Sequence, residues 1–157
     1  MTHSQQPTLF KIGIRDTVFG KNVRIVEPVN IFGAEIGENC FIGPFVEIQK
    51  SVIIGNNTKI QSHAFICELV KIGNNCFISH GVMFINDAFK RGAPAGGKKE
   101  FWKSTIIGDF VSIGTNSTLL PVMICDHTVI GAGSVVTKNI LEPGIYAGNP
   151  ARKIRSL

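Results

Sequence analysis

The sequence predicts an all-β chain wound into a three-sided parallel β-solenoid, and three observations carry that prediction. Isoleucine stands at positions 36, 42, 48, 54, 60, 66, 72 and 78, and Phe84 continues the series at the same spacing of six. Four residues after each isoleucine comes a second apolar or small side chain: Cys40, Val46, Val52, Thr58, Ala64, Val70, Cys76 and Val82. Asn39, Asn57 and Asn75 recur at the longer interval of 18, inside "IGENC", "IGNNT" and "IGNNC". A helix would need a period near 3.6, which is absent. Two apolar columns per six suit a short strand and a turn, with a large knob and a smaller wall residue buried against neighbouring units. Three units close one coil, so residues 18 apart are predicted to stack. Asparagine tolerates the left-handed backbone region, which suits it to the corner of such a coil.

In chain order, the prediction is one domain spanning 1–157. Residues 1–18 form an N-terminal segment, 19–87 and 105–140 the coils, 88–104 an excursion loop, and 141–157 a C-terminal tail. The spacing drops by one at Ile31 to Ile36 and again at Leu119 to Ile124, as corner deletions would make it do. The loop, "AFKRGAPAGGKKEFWKS", breaks the pattern altogether: it carries Lys90, Arg91, Lys98, Lys99 and Lys103 against one acid, and the only tryptophan, Trp102. A long irregular excursion in a compact domain is usually functional, so this one is expected to lie over a ligand or a neighbouring subunit.

Composition narrows the function classes. At 157 residues and 44% hydrophobic content the chain can bury one continuous core. Sixteen basic residues against eleven acidic leave a net charge of +5, enough to favour an anionic partner. No Lys/Arg cluster alternates with aromatics along the chain, so a phosphorylated small molecule is preferred over nucleic acid. Cys40, Cys67, Cys76 and Cys125 form no C-x-x-C pair, which argues against zinc and a disulfide framework and for a reduced, cytoplasmic setting. No charged start precedes an apolar run at the N-terminus, and no segment is long enough to span a bilayer, so no membrane partner is expected.

The chemistry-bearing side chains gather near the break. His3 is set aside in the N-terminal segment, and His127 in "CDHTVIG" occupies a corner position like that of Asn39. His80 is 18 residues from Ser62, so it is predicted to stack beside that hydroxyl with His63 one step along the same corner. Imidazole titrates near neutral pH and is the natural general base there. Downstream, Gly114, Gly131, Ala132 and Gly133 would let a ligand approach the backbone, and Lys138, Arg152 and Lys153 could meet phosphates.

The tandem I-G-x-x-x-x units, with "VIGAGSVVTKNI" and "PGIYAGNPARKIR" at the end, resemble the left-handed parallel β-helix acyltransferases of the hexapeptide-repeat family, over Phe19 to Arg155. The resemblance implies a left-handed coil, against the usual crossover preference, and a homotrimer with active sites between subunits. It implies acetyl-CoA as co-substrate, held near Gly114, Ala132, Lys138, Arg152 and Lys153, and no metal.

Among these enzymes the nearest likeness is to nucleotide-sugar 3-N-acetyltransferases. "FIND", ending in Asn86 and Asp87, is similar to their F-T-N-D, whose polar residues contact the amino sugar; "QSH", Gln61 to His63, stands where they often read Q-N-G. The implied acceptor is the amine of a dTDP- or UDP-linked amino sugar, for cell-surface polysaccharide such as O-antigen. His80 is then the first candidate base and His63 the second, with Gln61, Ser62, Asn86 and Asp87 on the sugar. The alternatives are an O-acetyltransferase of a sugar or serine, a non-catalytic β-helix scaffold, and a γ-type carbonic anhydrase, whose zinc-histidine pattern residues 63, 80 and 127 do not reproduce.

Overall fold

A computed structural model describes residues 7–157; His3 lies outside them. The chain winds as a three-sided parallel solenoid whose faces are sheets of seven, six and eight strands, here faces A, B and C. Almost every strand is two or three residues long, and successive strands go to successive faces. Face A holds Ile14–Arg15, Asn30–Phe32, Glu47–Ile48, Phe65–Ile66, Met83–Phe84, Thr118–Leu119 and Val135–Val136.

The six-residue ruler is the core. Ile36, Ile42, Ile48, Ile54, Ile60, Ile66, Ile72, Ile78 and Phe84 are all buried, as are Cys40, Val46, Val52, Thr58, Ala64, Val70, Cys76 and Val82. Register follows the interval of 18: Ile36 pairs with Ile54, Ile42 with Ile60 and Ile48 with Ile66. Each strand alternates one outward and one inward residue, so Ile53 is 39% exposed while Ile54 is 2% exposed.

Three columns of left-handed backbone turn the corners. Asn22, Asn39, Asn57, Asn75, Phe110 and His127 make the corner entering face C, with φ of 56° at Asn57 and 54° at His127. Phe45, His63, Gly81, Asn116 and Gly133 turn from face C to face A, and Asp16, Gly33, Ser51 and Leu69 from face A to face B. The glycine of the I-G motif has a different cause. A Cβ on Gly55 would come within 2.6 Å of the Gly73 carbonyl carbon one coil away, so the coils could not close onto one another.

The solenoid starts earlier and ends later than the spacing of six suggests. Ile14 pairs with Ile31, Phe19 with Ile36 and Ile25 with Ile42, so the boundary expected at 19 falls inside the Val18–Phe19 strand of a coil of 17. At the other end Gly144–Ala147 adds a parallel strand to face C, and Arg152–Arg155 folds back antiparallel on it. The stretch 141–157 therefore covers an edge that would otherwise offer unpaired N–H and C=O groups.

Because parity decides burial, Ile54→Ala should cost about 2–5 kcal/mol by the usual core-truncation scale, measured by urea unfolding. Its neighbour Ile53→Ala should stay within about 1 kcal/mol of the unmodified protein. Equal losses would mean that the strand does not alternate as described.

Candidate active site

The corner between faces C and A collects most of the predicted site. His80 lies beside Ser62 as expected: the Gly81 N–H donates to the Ser62 carbonyl at 3.0 Å, and the Asn116 N–H donates to the His80 carbonyl at 2.9 Å. Both His63 and His80 are exposed at this corner. They differ in support. His63 is itself the left-handed residue, at φ 63°, and its ring packs against Phe45 one coil back, centroids 4.9 Å apart. His80 precedes the left-handed Gly81 and has no side-chain hydrogen-bond partner among the described residues.

Two polar residues at this corner were not among the sequence candidates. A Cβ on Gly81 would meet the Asn116 Oδ1 at 2.2 Å, so the Asn116 amide folds over the turn that carries His80. Thr115 bonds Ser79, hydroxyl to hydroxyl, at 2.8 Å. The signal for both was available: 116 is 35 residues beyond 81, one coil of 18 plus the 17 residues of the excursion, but the excursion interrupts the ruler. Gln61 is on this corner too, as are Gly114 and Ala132, packed so tightly that a Cβ on Gly114 would sit 2.5 Å from the Ala132 nitrogen.

Asn86 and Asp87 are elsewhere. They follow the Met83–Phe84 strand of face A and stand at the next corner, beside Glu68. Six residues of extended chain from His80 to Asn86 span at most about 20 Å, with the width of face A between the two corners. Both residues organise the basic loop. The Asn86 amide donates to the Glu68 carbonyl at 3.2 Å, and its own carbonyl accepts from the Lys103 N–H at 2.9 Å. The Asp87 carboxylate accepts from the Phe89 N–H at 3.0 Å and the Ala95 N–H at 2.7 Å. Lys99 pairs with Glu68 and lies over Trp102, and Arg91 lies 4.5 Å above Phe101. The excursion is thus a folded arm holding a cavity of about 430 Å³, lined by Asp87, Lys90, Arg91, Lys98, Glu100 and Lys103 with Pro94 and Phe101. Four cations face two carboxylates there, and two N–H groups already engage one of those.

Lys138, Arg152 and Lys153 come together at the C-terminal end of the solenoid, around a cavity of about 290 Å³ that includes Tyr146 and Asn139. Lys153 is partly neutralised by Glu142 at 3.1 Å, while Lys138 and Arg152 pair with no acid among the described residues. His127 is remote from both clusters, stacked flat on Phe110 with centroids 4.8 Å apart. No group of three His, Cys, Asp or Glu among the described residues could hold a metal ion, and no helix there is long and apolar enough to cross a membrane.

All four thiols are free. Burial pushes the Cys67 thiol up to about 12, and burial also raises Cys40 and Cys76. These groups stay protonated and unreactive, which removes them as nucleophiles.

Two family models match this chain: "Bacterial transferase hexapeptide (six repeats)" over residues 33–68 and "Hexapeptide repeat of succinyl-transferase" over 104–138. Among curated proteins, the bifunctional protein GlmU of Acinetobacter baylyi is 34% identical over 78% of this chain, and that of Streptococcus uberis 33% over 86%. The chain spans only 30% and 23% of those relatives. Among solved structures, two variants of AntD, an N-acyltransferase from Bacillus cereus in complex with dTDP and coenzyme A, superpose with TM-scores of 0.78 and 0.79. They are 26% and 27% identical, over 90% of this chain and 83% and 84% of theirs. A GDP-perosamine N-acetyltransferase from Caulobacter crescentus, with CoA and GDP-perosamine bound, shares the fold at a TM-score of 0.60 and 18% identity, over 88% of this chain and 53% of its own.

The buried thiols give a direct check. At pH 8, iodoacetamide should label native protein at the half-buried Cys125 well before Cys40, Cys67 or Cys76, and label all four once urea is added, as read by mass spectrometry. A folded-state thiol pKa above the unfolded value favours folding below that unfolded value, near 9.0, and the advantage is lost as pH rises from there. Stability should accordingly decline on the alkaline side of pH 9.

Proposed function

Because the chain belongs to the hexapeptide-repeat family of acyltransferases, we propose that it transfers an acetyl group from acetyl-CoA to an amine on a nucleotide-linked amino sugar. The observation that carries this reading is the pairing of two unlike corners on either side of face A. One has a free imidazole, an amide and small residues; the other has a folded cationic arm with a cavity large enough for a diphosphate. The resemblance to AntD, an N-acyltransferase with dTDP and coenzyme A, supports the same substrates here.

Within one chain the corners face apart, so the proposed site is completed by a second copy. Three solenoids with face A towards a threefold axis would bring the His80 corner of one against the Asn86 corner of the next. The outward residues of face A from Phe65 onward suit a buried contact: Phe65, Met83, Thr118 and Val135 carry no charge, and the ionised Arg15 and Glu47 sit together at the N-terminal end, bridged by Asn30. Such a homotrimer would hold the pantetheine arm along Gly114 and Ala132, with the CoA phosphates towards Lys138, Arg152 and Lys153. The sugar diphosphate would meet Lys90, Arg91, Lys98 and Lys103, with Gln61, Ser62, Asn86 and Asp87 bounding the sugar.

The chemistry this demands of the chain is small. As the amine nitrogen bonds to the thioester carbonyl carbon, His80 accepts the proton released from nitrogen, and the Asn116 amide is available to the developing oxyanion. The C–S bond then breaks, and the thiolate leaves and is protonated. His63, held by Phe45, takes a supporting place beside Ser62. Positioning both substrates at once supplies much of the rate. The product would feed synthesis of a surface polysaccharide in the cytoplasm.

Thiol release from acetyl-CoA across dTDP- and UDP-linked amino sugars tests the assignment; release with serine or an unmodified sugar, and none with the amino sugars, would replace the acceptor class. His80→Ala should lower kcat by about 10²–10⁴ with the oligomer intact, and turnover near the unmodified level would remove His80 from the base role. Met83→Glu should dissociate the trimer and abolish transfer together, as seen by sedimentation and assay. A variant that stays trimeric, or a monomer that stays active, would sink the shared site.

A further inference from the structure

The outward column of face C is unlike those of the other two faces. Reading one residue per strand along the register, it runs Arg24, Phe41, Lys59, Phe77, Ser112, Val129, Ile145 and, from the antiparallel closing strand, Arg155. Three of the eight are cations and none is an acid. Faces A and B carry Glu47 and Glu35 at the matching outward positions, so the bias belongs to face C alone. Of the acids on the corner entering it, Asp109 and Asp126 each accept a backbone N–H and face along that corner, while Glu38 there and Glu27 just past Arg24 are exposed and flank the column without standing in it. At the usual strand spacing the column is about 34 Å long. The sequence hides it, because Arg24, Phe41, Lys59 and Phe77 lie 17 or 18 residues apart.

We propose that this face binds an acidic polysaccharide laid along the solenoid axis. The partner is argued from charge and from ring exposure. Arg24, Lys59 and Arg155 are exposed and in no ion pair among the described residues, so carboxylates spaced along a chain could meet them. Phe77 is 39% exposed and offers one flat apolar surface to a sugar ring, with the Ser112 hydroxyl on the adjacent strand to bond a sugar hydroxyl. Single-stranded nucleic acid fits less well, since it needs successive open rings. Here the second ring, Phe41, is half-buried and has the Arg24 guanidinium 5.8 Å above it. A pyranose chain also advances by nearly one strand spacing per sugar, whereas an extended nucleotide advances further and falls out of step with the ladder. In the arrangement with face A at the threefold axis face C points outward, but the inference does not depend on the acyl-transfer reading.

The full-length protein is titrated by calorimetry with an oligogalacturonate, with a neutral dextran oligosaccharide of equal length and with oligodeoxythymidylate. The galacturonate should bind, more weakly at high salt, and the other two should not. Arg24→Glu with Lys59→Glu should weaken it by roughly tenfold or more, the milder Arg24→Gln with Lys59→Gln should move it in the same direction, and Phe77→Ala should lower affinity at unchanged salt dependence. Sedimentation of all three variants should match the unmodified protein. No binding of galacturonate, equal binding by the charge variants or by dextran, preference for the oligonucleotide, or a changed oligomeric state would each overturn the proposal. The last result would make the face a subunit contact. Acetyl transfer by the variants, measured separately, reports on the other site and leaves this outcome distinguishable.

Discussion

Everything in this molecule depends on coils closing at strand spacing, so that the backbone of one coil lies directly on the next. The glycines of the I-G motif exist for that contact: at Gly55 a Cβ would press on the backbone of the coil above. The contact also sets the period, because a parallel ladder pairs residues one full turn apart. Isoleucine columns follow from the period, since only one parity of each strand faces inward. The same closeness lets corner side chains work along the axis. The Asn56 and Asn74 amides and the Asp109 and Asp126 carboxylates each accept a backbone N–H from the preceding coil, a ladder at the corner entering face C.

A scaffold so regular relaxes its rule at the corners and in the excursion, and the side chains of the proposed acyl-transfer site gather there. Corners accept many residue types provided they tolerate left-handed backbone, and this chain uses asparagine, glycine, serine and the aromatics Phe45 and Phe110 there. Histidine at two of them, each stacked on the aromatic one coil back, shows how a side chain can be held without hydrogen bonds. His80 is not such a residue: its side chain has no hydrogen-bond partner among the described residues, which is the feature the proposed proton transfer relies on. The arm after Phe84 follows a complementary logic: Asp87, Asn86 and Glu68 spend their polar atoms on folding it, so its cations converge on a cavity instead of dispersing in solvent.

The core and the stacking of Ser62 beside His80 were legible because the ruler is unbroken from Ile36 to Phe84. Where the count slips the reading fades. The first coil has 17 residues, so its strands at Ile14 and Val18 escaped a search for sixes. The tail is set apart from the coils in the sequence because its last strand runs antiparallel and owes nothing to the repeat. Asn116 was missed because the excursion hides its relation to Gly81. Asn86 and Asp87 join the histidines in the sequence reading through the likeness of "FIND" to F-T-N-D, and a few residues of extended strand are enough to carry them to another corner of the same chain.

The sequence alone determined the period, the three-sided all-β solenoid, the inward residues and the location of the break, because each is a matter of spacing in a fold whose contacts repeat at constant intervals. Only the tertiary structure decided which polar residues share a corner, that His63 rests on Phe45 while His80 is free, and that the basic excursion is a folded arm. It also brought four residues 17 or 18 apart into one column on face C. These depend on where side chains go after a turn and which backbone groups they satisfy, and a one-dimensional period carries no information about either.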